Sequence, residues 1–307
     1  MGGARQGHNL IPAIVGPTAS GKGAFALAVA EKYPATLISV DSRKIYIGMD
    51  IGTAKPPPDI RRRFYLLMDI LTPDRSYSAQ DFANDAEKAI ARVLEEGRVP
   101  ILVGGTVLYF KALFEGLFPA PPVDRDLRSQ LLSRIRREGA PALHAELARV
   151  DPASAARIHP NDWVRIERAL EVYHMTGRPM SELWAERRQP RFRPLYITLP
   201  VDRETLYSRI DERVDRMMEA GLPEEVRGLV KTYGASAPGL RSIGYQELVR
   251  HILGEIGLDE AVALIKRNTR TFARRQSYFM RSLGEMRGPE EGERFIRAWA
   301  EESISRF

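Results

Sequence analysis

The amino-acid sequence predicts an α/β fold, in which a parallel sheet carries helices and a helical insertion interrupts the chain. Three observations predict it. Short apolar runs alternate with helical patterns over the first third of the sequence. A glycine-rich loop, GPTASGKG at Gly16–Gly23, lies between the first strand pattern and the first helix pattern. Strand patterns then stop at PAPPVD (Pro119–Asp124) and return only at Leu195–Leu199.

The N-terminal part alternates between strands and helices. The predicted strands are Leu10–Val15, Thr36–Val40, Tyr65–Leu71 and Val99–Val103, and the predicted helices are Lys22–Tyr33 and Ser78–Glu96. Capping residues define the second helix, because Ser78 and Asp81 begin it as a capping box and Gly97 ends it. Alternation of this kind predicts right-handed crossovers and a ligand site at the carboxyl ends of the strands.

The middle of the chain shows only helical patterns. They are Arg125–Arg137, Pro141–Val150, Asp162–Thr176 and Ser181–Arg187. Two parts follow from this change: a core of residues 1–123 and 194–307, and a helical insertion of residues 124–193. After Asp202 the chain is predicted to be helical almost to its end. One face of the last long helix is predicted to carry Ala261, Ile265, Phe272, Phe279 and Leu283.

Composition excludes some functions and favours others. The chain has no cysteine, which excludes disulfides, thiolate metal ligands and a cysteine nucleophile. Its net charge is +6, and residues 124–193 contain 14 arginines, no lysine and 10 acidic residues. Excess positive charge of this kind favours a polyanionic partner. The opening segment MGGARQGHNL lacks an apolar leader, and no run is long enough to span a membrane. We therefore expect a cytoplasmic protein without a membrane partner, and a monomer.

The loop at Gly16–Gly23 has the features of a phosphate-binding P-loop. Glycines let the backbone curl so that successive N–H groups face an anion, and the helix N-terminus adds partial positive charge. A point charge comes from Lys22. The motif normally has Ser or Thr where Gly23 stands, so the usual hydroxyl ligand for Mg²⁺ is missing. The residues expected at the phosphates are Gly16, Pro17, Thr18, Ala19, Ser20, Gly21, Lys22 and Gly23.

A carboxylate follows the second strand. Asp41 ends that strand next to the P-loop, where it can accept a proton, hold Mg²⁺ or cap a turn. It is the second residue of one of five ordered blocks. These blocks are GPTASGK, VDSRKIYIGMDIGTAKP, VGGTVLYFKAL, RIDERVDRMMEAGLPEEV and LRSIGYQEL. With them, from about Ile11 to Leu283, the sequence closely resembles the tRNA dimethylallyltransferases, also called tRNA isopentenyltransferases.

The resemblance implies a P-loop NTPase/kinase-like core with an insertion that grips the anticodon stem-loop of tRNA. It also implies a reaction, the transfer of a dimethylallyl group from dimethylallyl diphosphate to N6 of the adenosine 3′ of the anticodon, with release of diphosphate. The P-loop would then hold the allylic diphosphate. Asp41 matches the family's general base, while Thr106 and Arg213 match groups that stabilise the leaving diphosphate.

Several residues are further expected to contact the tRNA. They are Asp41, Ser42, Arg43, Lys44, Thr106, Arg128, Arg165, Ile166, Arg168, Arg241 and Tyr245. Simpler structural roles stay open for four of them: surface ion pairs for Arg165 and Arg168, a plain surface charge for Arg128, and core packing for Tyr245.

Mg²⁺ is the expected cofactor, held mainly through the substrate diphosphate, with Thr18 or Ser20 as candidate protein ligands. Three other functions compete. A small-molecule P-loop kinase would bind ATP, but the missing hydroxyl at Gly23 argues against it. An adenine-nucleotide prenyltransferase would not need the arginine-rich insertion, and a non-catalytic RNA-binding protein would not need Asp41.

Overall fold

The structure is a computed structural model that describes residues 9–118, 121–187 and 189–304. Most of the opening segment on which the expectation about a leader was based lies outside these residues. The chain divides into two compact units, one of residues 1–114 and 191–307 and one of residues 115–190. No helix among the described residues combines the length and the apolar composition needed to cross a membrane.

The first unit contains a six-stranded parallel sheet with the strand order β3-β2-β4-β1-β5-β6. The strands are β1 (Leu10–Val15), β2 (Ala35–Val40), β3 (Tyr65–Leu66), β4 (Val99–Gly104), β5 (Arg193–Thr198) and β6 (Met286–Arg287). Strand β1 is central, since Ala13 is paired with Leu102 of β4 on one side and with Tyr196 of β5 on the other. Buried apolar side chains on both faces explain why the strands read as continuous apolar runs.

Fourteen α-helices accompany the sheet within the described residues. They are α1 (Lys22–Lys32), α2 (Pro58–Phe64), α3 (Ala79–Glu95), α4 (Val107–Phe114), α5 (Arg125–Glu138), α6 (Ala140–Val150), α7 (Pro152–Ala155), α8 (Trp163–Thr176), α9 (Met180–Ala185), α10 (Arg203–Glu219), α11 (Leu222–Tyr233), α12 (Tyr245–Ile252), α13 (Leu258–Met280) and α14 (Pro289–Ile304). Helices α5–α9 form the second unit, and the others belong to the first.

The predicted strands and helices are confirmed to within a few residues, with one exception. Strand β3 ends at Leu66 and not at Leu71. It ends early because Leu67 and Asp69 adopt the left-handed conformation, with φ of 59° and 52°. The capping box of α3 is present, since Ser78 and Asp81 bond each other's backbone N–H. Helix α4 was not predicted, because its sequence VLYFKALF is apolar nearly throughout and shows no period.

The predicted apolar face of α13 is only half right. Phe272 and Phe279 are each 44% exposed, although Leu283 just beyond the helix is buried. The buried residues of α13 are Ala261, Ile265, Ala273, Gln276 and Met280. Phe272 and Phe279 lie at one edge of the observed face, whose middle is nearer to Ala273, Gln276 and Met280. The observed face keeps the 3.6-residue period and includes a glutamine that the apolar pattern could not reveal.

The second unit is a small helical domain with its own apolar core. Leu131, Leu143, Leu147, Ile166 and Leu170 are at most 2% exposed and pack together in this core. Helix α8 also buries two carboxylates, Glu167 and Glu171, at 0% exposure. Burying two charges one helical turn apart requires cationic partners, and arginines of the same unit supply them.

Candidate functional site

The P-loop curls through two residues in the left-handed conformation. Ala19 has φ of 63° and Gly21 has φ of 88°. The strain at Ala19 is notable because alanine seldom adopts this conformation outside constrained sites. No described acceptor takes the backbone N–H of Ala19 or Gly21, and α1 begins at Lys22 with the free N–H groups of its first turn. These donors form a ready anion site.

Space, not backbone conformation, explains the first glycine of the loop. Gly16 has no positive φ, but a Cβ added there would lie 2.5 Å from Ser20 Oγ. That hydroxyl is buried and has no hydrogen-bond partner among the described residues. Lys22 folds across the loop and donates from Nζ to the Pro17 carbonyl oxygen at 2.9 Å.

Asp41 both caps a turn and offers a free carboxylate oxygen. Its Oδ1 accepts hydrogen bonds from the backbone N–H groups of Arg43 at 2.9 Å and Lys44 at 3.3 Å. No described donor bonds Oδ2. Nearby, Thr106 Oγ1 accepts from the Ser42 N–H at 3.2 Å, which leaves the threonine hydroxyl proton available to a ligand. The turn-capping alternative for Asp41 is therefore real, and it is compatible with a chemical role.

Arg213 links α10 to the P-loop and to the loop after β2. Its guanidinium donates to Thr18 Oγ1 at 3.2 Å and to the Thr53 carbonyl oxygen at 3.4 Å. No carboxylate of the described residues forms an ion pair with it. Its charge is thus held in place by neutral acceptors and stays available for an anion.

Two cavities adjoin at these groups. The apolar cavity, of about 330 Å³, is lined by Asp41, Thr106 and Arg213 together with apolar side chains of α10 and α13. The P-loop cavity, of about 440 Å³, is lined by the residues from Thr18 to Gly23 and by Lys44 and arginines of α10. Both are lined by Thr18, Lys22, Asp41, Thr53 and Arg213. A ligand that spans the two cavities must pass Asp41 and Arg213.

Cations crowd this junction, and their pKa values reflect it. Burial and, to a smaller extent, the charge of the neighbouring Lys44 lower the pKa of the Lys22 ammonium to about 7. Burial likewise lowers the pKa of Lys44 to about 8, although Asp41 acts in the opposite direction. For Arg213, burial also lowers the pKa of the guanidinium. The site has an excess of positive charge, and a bound anion would offset the repulsion among these cations.

Gln276 of α13 is a site residue that sequence reasoning missed. Its Oε1 accepts from the Thr18 N–H at 2.9 Å, and its Nε2 donates to the Gly105 carbonyl oxygen at 2.9 Å. A Cβ added at Gly105 would lie 2.4 Å from that Nε2. The side chain therefore joins the P-loop to the Gly104–Thr106 loop and positions both. No local motif signals this role, because the partners are 258 and 171 residues away.

Glu225 is a second missed residue, and it organises the loop after β2. Its carboxylate accepts from the N–H groups of Asp50 and Ile51 at 3.0 and 2.7 Å. It also accepts from the Tyr245 hydroxyl at 2.6 Å. The Tyr245 ring packs so closely on Gly52 that a Cβ there would lie 2.5 Å away. The GLPEEV block contains Glu225, but its sequence gives no sign of the distant N–H groups that this carboxylate binds.

Tyr245 is consequently a packing and positioning residue that also lines the apolar cavity, and its contact with RNA stays a prediction. Its side chain is 0% exposed and its hydroxyl is already bonded. The structure brings Ser42, Arg43 and Arg241 to the lining of the apolar cavity, as the expected RNA contacts require. It places Lys44 in the P-loop cavity instead, where its ammonium faces the anion side.

In the helical unit, the expected RNA contacts separate into three kinds. Ile166 is 0% exposed in the core, so its side chain is unavailable to RNA. Arg128 and Arg168 form ion pairs with the buried Glu167 and Glu171, so they neutralise charge inside the unit. Arg165 is 63% exposed, and its one ion pair with a described residue is to Asp162 at the helix start. It alone of these four presents a largely exposed cation.

A model of the IPP transferase family matches residues 44–283, well over half of the chain. The chain belongs to this family. The family predicted from the five sequence blocks is thereby confirmed.

Relatives and solved structures extend the family match over nearly the whole chain. The tRNA dimethylallyltransferase of Geobacter metallireducens is 47% identical over 277 residues, covering 89% of this chain and 90% of the relative. The full-length tRNA isopentenylpyrophosphate transferase of Bacillus halodurans has a TM-score of 0.68 at 35% identity, covering 97% of this chain and 98% of that structure. A eukaryotic dimethylallyltransferase acting on tRNA has a TM-score of 0.72 at 26% identity, covering 92% of this chain and 74% of that structure. The predicted α/β, P-loop NTPase-like fold is confirmed.

Proposed function

We propose that this member of the IPP transferase family transfers a dimethylallyl group from dimethylallyl diphosphate to N6 of the adenosine 3′ of the anticodon in tRNA. Diphosphate is the second product. Family membership and the names of the relatives support the reaction class. The observation that carries the proposal is that Asp41 and Arg213 line both adjoining cavities. A diphosphate in the P-loop cavity and the target adenine in the apolar cavity would meet at these two groups.

The residues at the junction account for bond breaking. The allylic C–O bond breaks as negative charge grows on the bridging oxygen, and preorganised donors favour this step. Arg213, Lys22 and the Thr106 hydroxyl supply such donors, as do the free N–H groups of the P-loop. Because these donors already lie at the junction of the cavities, the protein need not rearrange to place them during the reaction.

Asp41 can accept the proton that leaves the adenine amino group during the reaction. An adenine amino group is a poor nucleophile, and it improves when a base accepts its proton during attack on the allylic carbon. The Oδ2 atom of Asp41 is free for this purpose, while Oδ1 is held by two backbone N–H groups. The target adenine must leave its stack to enter the cavity, and this costs less in a single-stranded loop than in a duplex.

Mg²⁺ fits the donors present, provided that the substrate supplies most of its ligands. The described residues contain no cluster of three or more acidic or histidine side chains that could hold a metal alone. The buried Ser20 hydroxyl has no hydrogen-bond partner in the described part of the chain and is a suitable oxygen ligand, whereas the Thr18 hydroxyl already accepts from Arg213. When bound, Mg²⁺ would neutralise charge on the leaving diphosphate.

The helical unit is part of the same proposal as a tRNA-binding insertion, with boundaries near residues 124 and 193. Its arginine content and the absence of lysine support it. A monomer located in the cytoplasm completes the proposal.

One experiment tests the reaction directly. The protein is incubated with unmodified tRNA and dimethylallyl diphosphate labelled in the prenyl group, and the tRNA is digested to nucleosides. Label on N6 of the adenosine 3′ of the anticodon supports the proposal. Label on free adenine nucleotides, or phosphoryl transfer from ATP to a small molecule, would replace it with one of the competing functions.

Diphosphate binding should weaken as the pH rises. The pKa values of Lys22 and Lys44 are about 7 and about 8 in the free protein, and a bound anion raises both. Binding therefore takes up protons, and the affinity should fall by up to about tenfold per pH unit for each lysine that must be recharged. Calorimetric titration with inorganic diphosphate between about pH 6.5 and pH 9 measures this. Equal affinities over that range would contradict it, and Lys44→Met is expected to remove the contribution near pH 8.

Salt dependence should separate the arginines of the helical unit. Arg165→Ala should reduce the slope of log affinity for tRNA against log salt by about one phosphate contact, because its guanidinium is exposed. Arg168→Ala serves as the matched comparison one turn along α8. It should leave the slope nearly unchanged and lower the thermal stability, because Glu171 would remain buried without its partner. Equal slopes for wild type and Arg165→Ala would show that Arg165 is ordinary surface charge.

A further inference from the structure

Helix α10 presents two parallel rows of side chains, one cationic and one apolar. Arg209, Arg213 and Arg216 line the P-loop cavity. The residue after each of them, in the apolar row, lines the other cavity: Ile210, Val214 and Met217. One residue corresponds to about 100° of helical rotation, so the two rows lie side by side along the helix. A single helix thus borders both cavities with opposite chemistry.

The cationic row carries charge that the protein does not neutralise. Arg209 and Arg216 form no ion pair with a described acidic residue, and the Nε of Arg216 donates to a backbone carbonyl oxygen at 3.3 Å. Among the described residues, Arg213 donates only to the Thr18 hydroxyl and the Thr53 carbonyl oxygen. A diphosphate in the P-loop cavity would therefore meet three arginines of this helix. The neighbouring apolar row would meet whatever is attached to the diphosphate.

The apolar row begins near the P-loop and ends at two buried side chains, Met217 and Ile265 of α13, which we call the floor. Ile210 packs in a cluster that includes Ala19 of the P-loop. Met217, two helical turns and about 10 Å further along, packs in a different cluster together with Ile265 of α13. Both Met217 and Ile265 line the apolar cavity, at 9% and 2% exposure. The distance from the P-loop end to this floor limits the length of an apolar chain.

The size of the cavity adds a second constraint. Its volume of about 330 Å³ lies at the lower end of the range for small-molecule sites, about 300–1,000 Å³. In the proposed reaction this space takes both the prenyl group and the target base. A five-carbon group fits this requirement, whereas a ten-carbon chain would need the volume now filled by the floor.

We propose that the apolar row of α10 holds the prenyl group and that Met217, with Ile265 behind it, restricts the donor to five-carbon allylic diphosphates. The inference rests on the proposed function, since it specifies which donors the same site accepts. Met217 is a specificity-determining residue, and neither its thioether nor Ile265 takes part in bond making or breaking.

A comparison of the transfer rates of two donors of different length tests the inference. Met217→Ala and wild type are each given unmodified tRNA with dimethylallyl diphosphate or geranyl diphosphate, and kcat/KM is measured for both donors. The ratio of geranyl to dimethylallyl transfer should rise at least about tenfold in Met217→Ala, since added methylenes in an apolar pocket are discriminated by about 10–200-fold. Inhibition by inorganic diphosphate should stay the same, because the cationic row is intact.

Three further variants keep the result interpretable. Met218→Ala removes the adjacent methionine, which packs against the same cluster but does not line the cavity, so its donor ratio should match wild type. Met217→Leu keeps the volume and should keep the five-carbon preference. If Met217→Ala does not fold, as a thermal unfolding curve would reveal, Ile265→Ala opens the same floor from α13.

The outcomes distinguish this inference from the proposed function. An unchanged donor ratio in folded Met217→Ala or Ile265→Ala, or an equal rise in Met218→Ala, would overturn the chain-length role while dimethylallyl transfer by wild type stands. Wild type that transfers no dimethylallyl group to tRNA would overturn both.

Discussion

Replacing Asp41 by asparagine is expected to lower single-turnover prenyl transfer on the order of a hundredfold or more, while tRNA and diphosphate still bind. Asparagine keeps a carbonyl oxygen at the position of Oδ1, so the hydrogen bonds from the Arg43 and Lys44 N–H groups can persist. It removes the ability to accept the proton from N6. The turn survives and the base is lost.

Measurement at saturating tRNA and dimethylallyl diphosphate isolates the chemical step. Binding of both ligands is measured on the same preparation, because a loss of affinity would mean that the turn had collapsed. Near-normal transfer in Asp41→Asn would show that the base is another group.

Replacing Arg213 by alanine is expected to lower transfer by about a hundredfold to a thousandfold, the usual cost of removing one preorganised donor from developing negative charge. The effect on tRNA affinity should be much smaller. Arg213 is committed to Thr18 and Thr53 and to the junction of the cavities. Thr106→Ala should act in the same direction, because its free hydroxyl proton would be lost.

Arg227→Ala is a suitable control, since that residue is 58% exposed and pairs with Glu224 away from both cavities. Arg213→Lys should recover part of the rate, because it restores a charge but not the two-pronged geometry. A variant Arg213→Ala that loses tRNA affinity and keeps its single-turnover rate would assign the residue to RNA binding.

Local patterns were sufficient to predict most of the sheet, the P-loop and the carboxylate at the end of β2. They depend on neighbouring residues, as the capping box at Ser78 shows. The early end of β3 escaped prediction because left-handed residues at Leu67 and Asp69 leave no mark in an apolar run. For α13, the phenylalanines suggested a face that the glutamine and alanine positions contradict.

The connections within the site could not be predicted, because they join residues far apart in the sequence. Glu225 reaches Asp50 and Ile51 across 175 and 174 positions. Ion pairs hid other roles. Arg128 and Arg168 are of the residue type that often contacts phosphates, but they form ion pairs with buried glutamates of α8. Only coordinates separate an arginine that faces solvent from one that neutralises a core.

The bond between Gln276 and the P-loop bears on how the protein is made. Synthesis proceeds from the N-terminus, so the P-loop leaves the ribosome long before the side chain that accepts its Thr18 N–H, 258 residues later. Strand β5, which flanks β1, also arrives only after the whole helical unit. The phosphate loop is thus synthesised well before the residues that complete it. We expect nascent or truncated chains to carry the motif without its finished anion site, and therefore not to bind cellular polyphosphates.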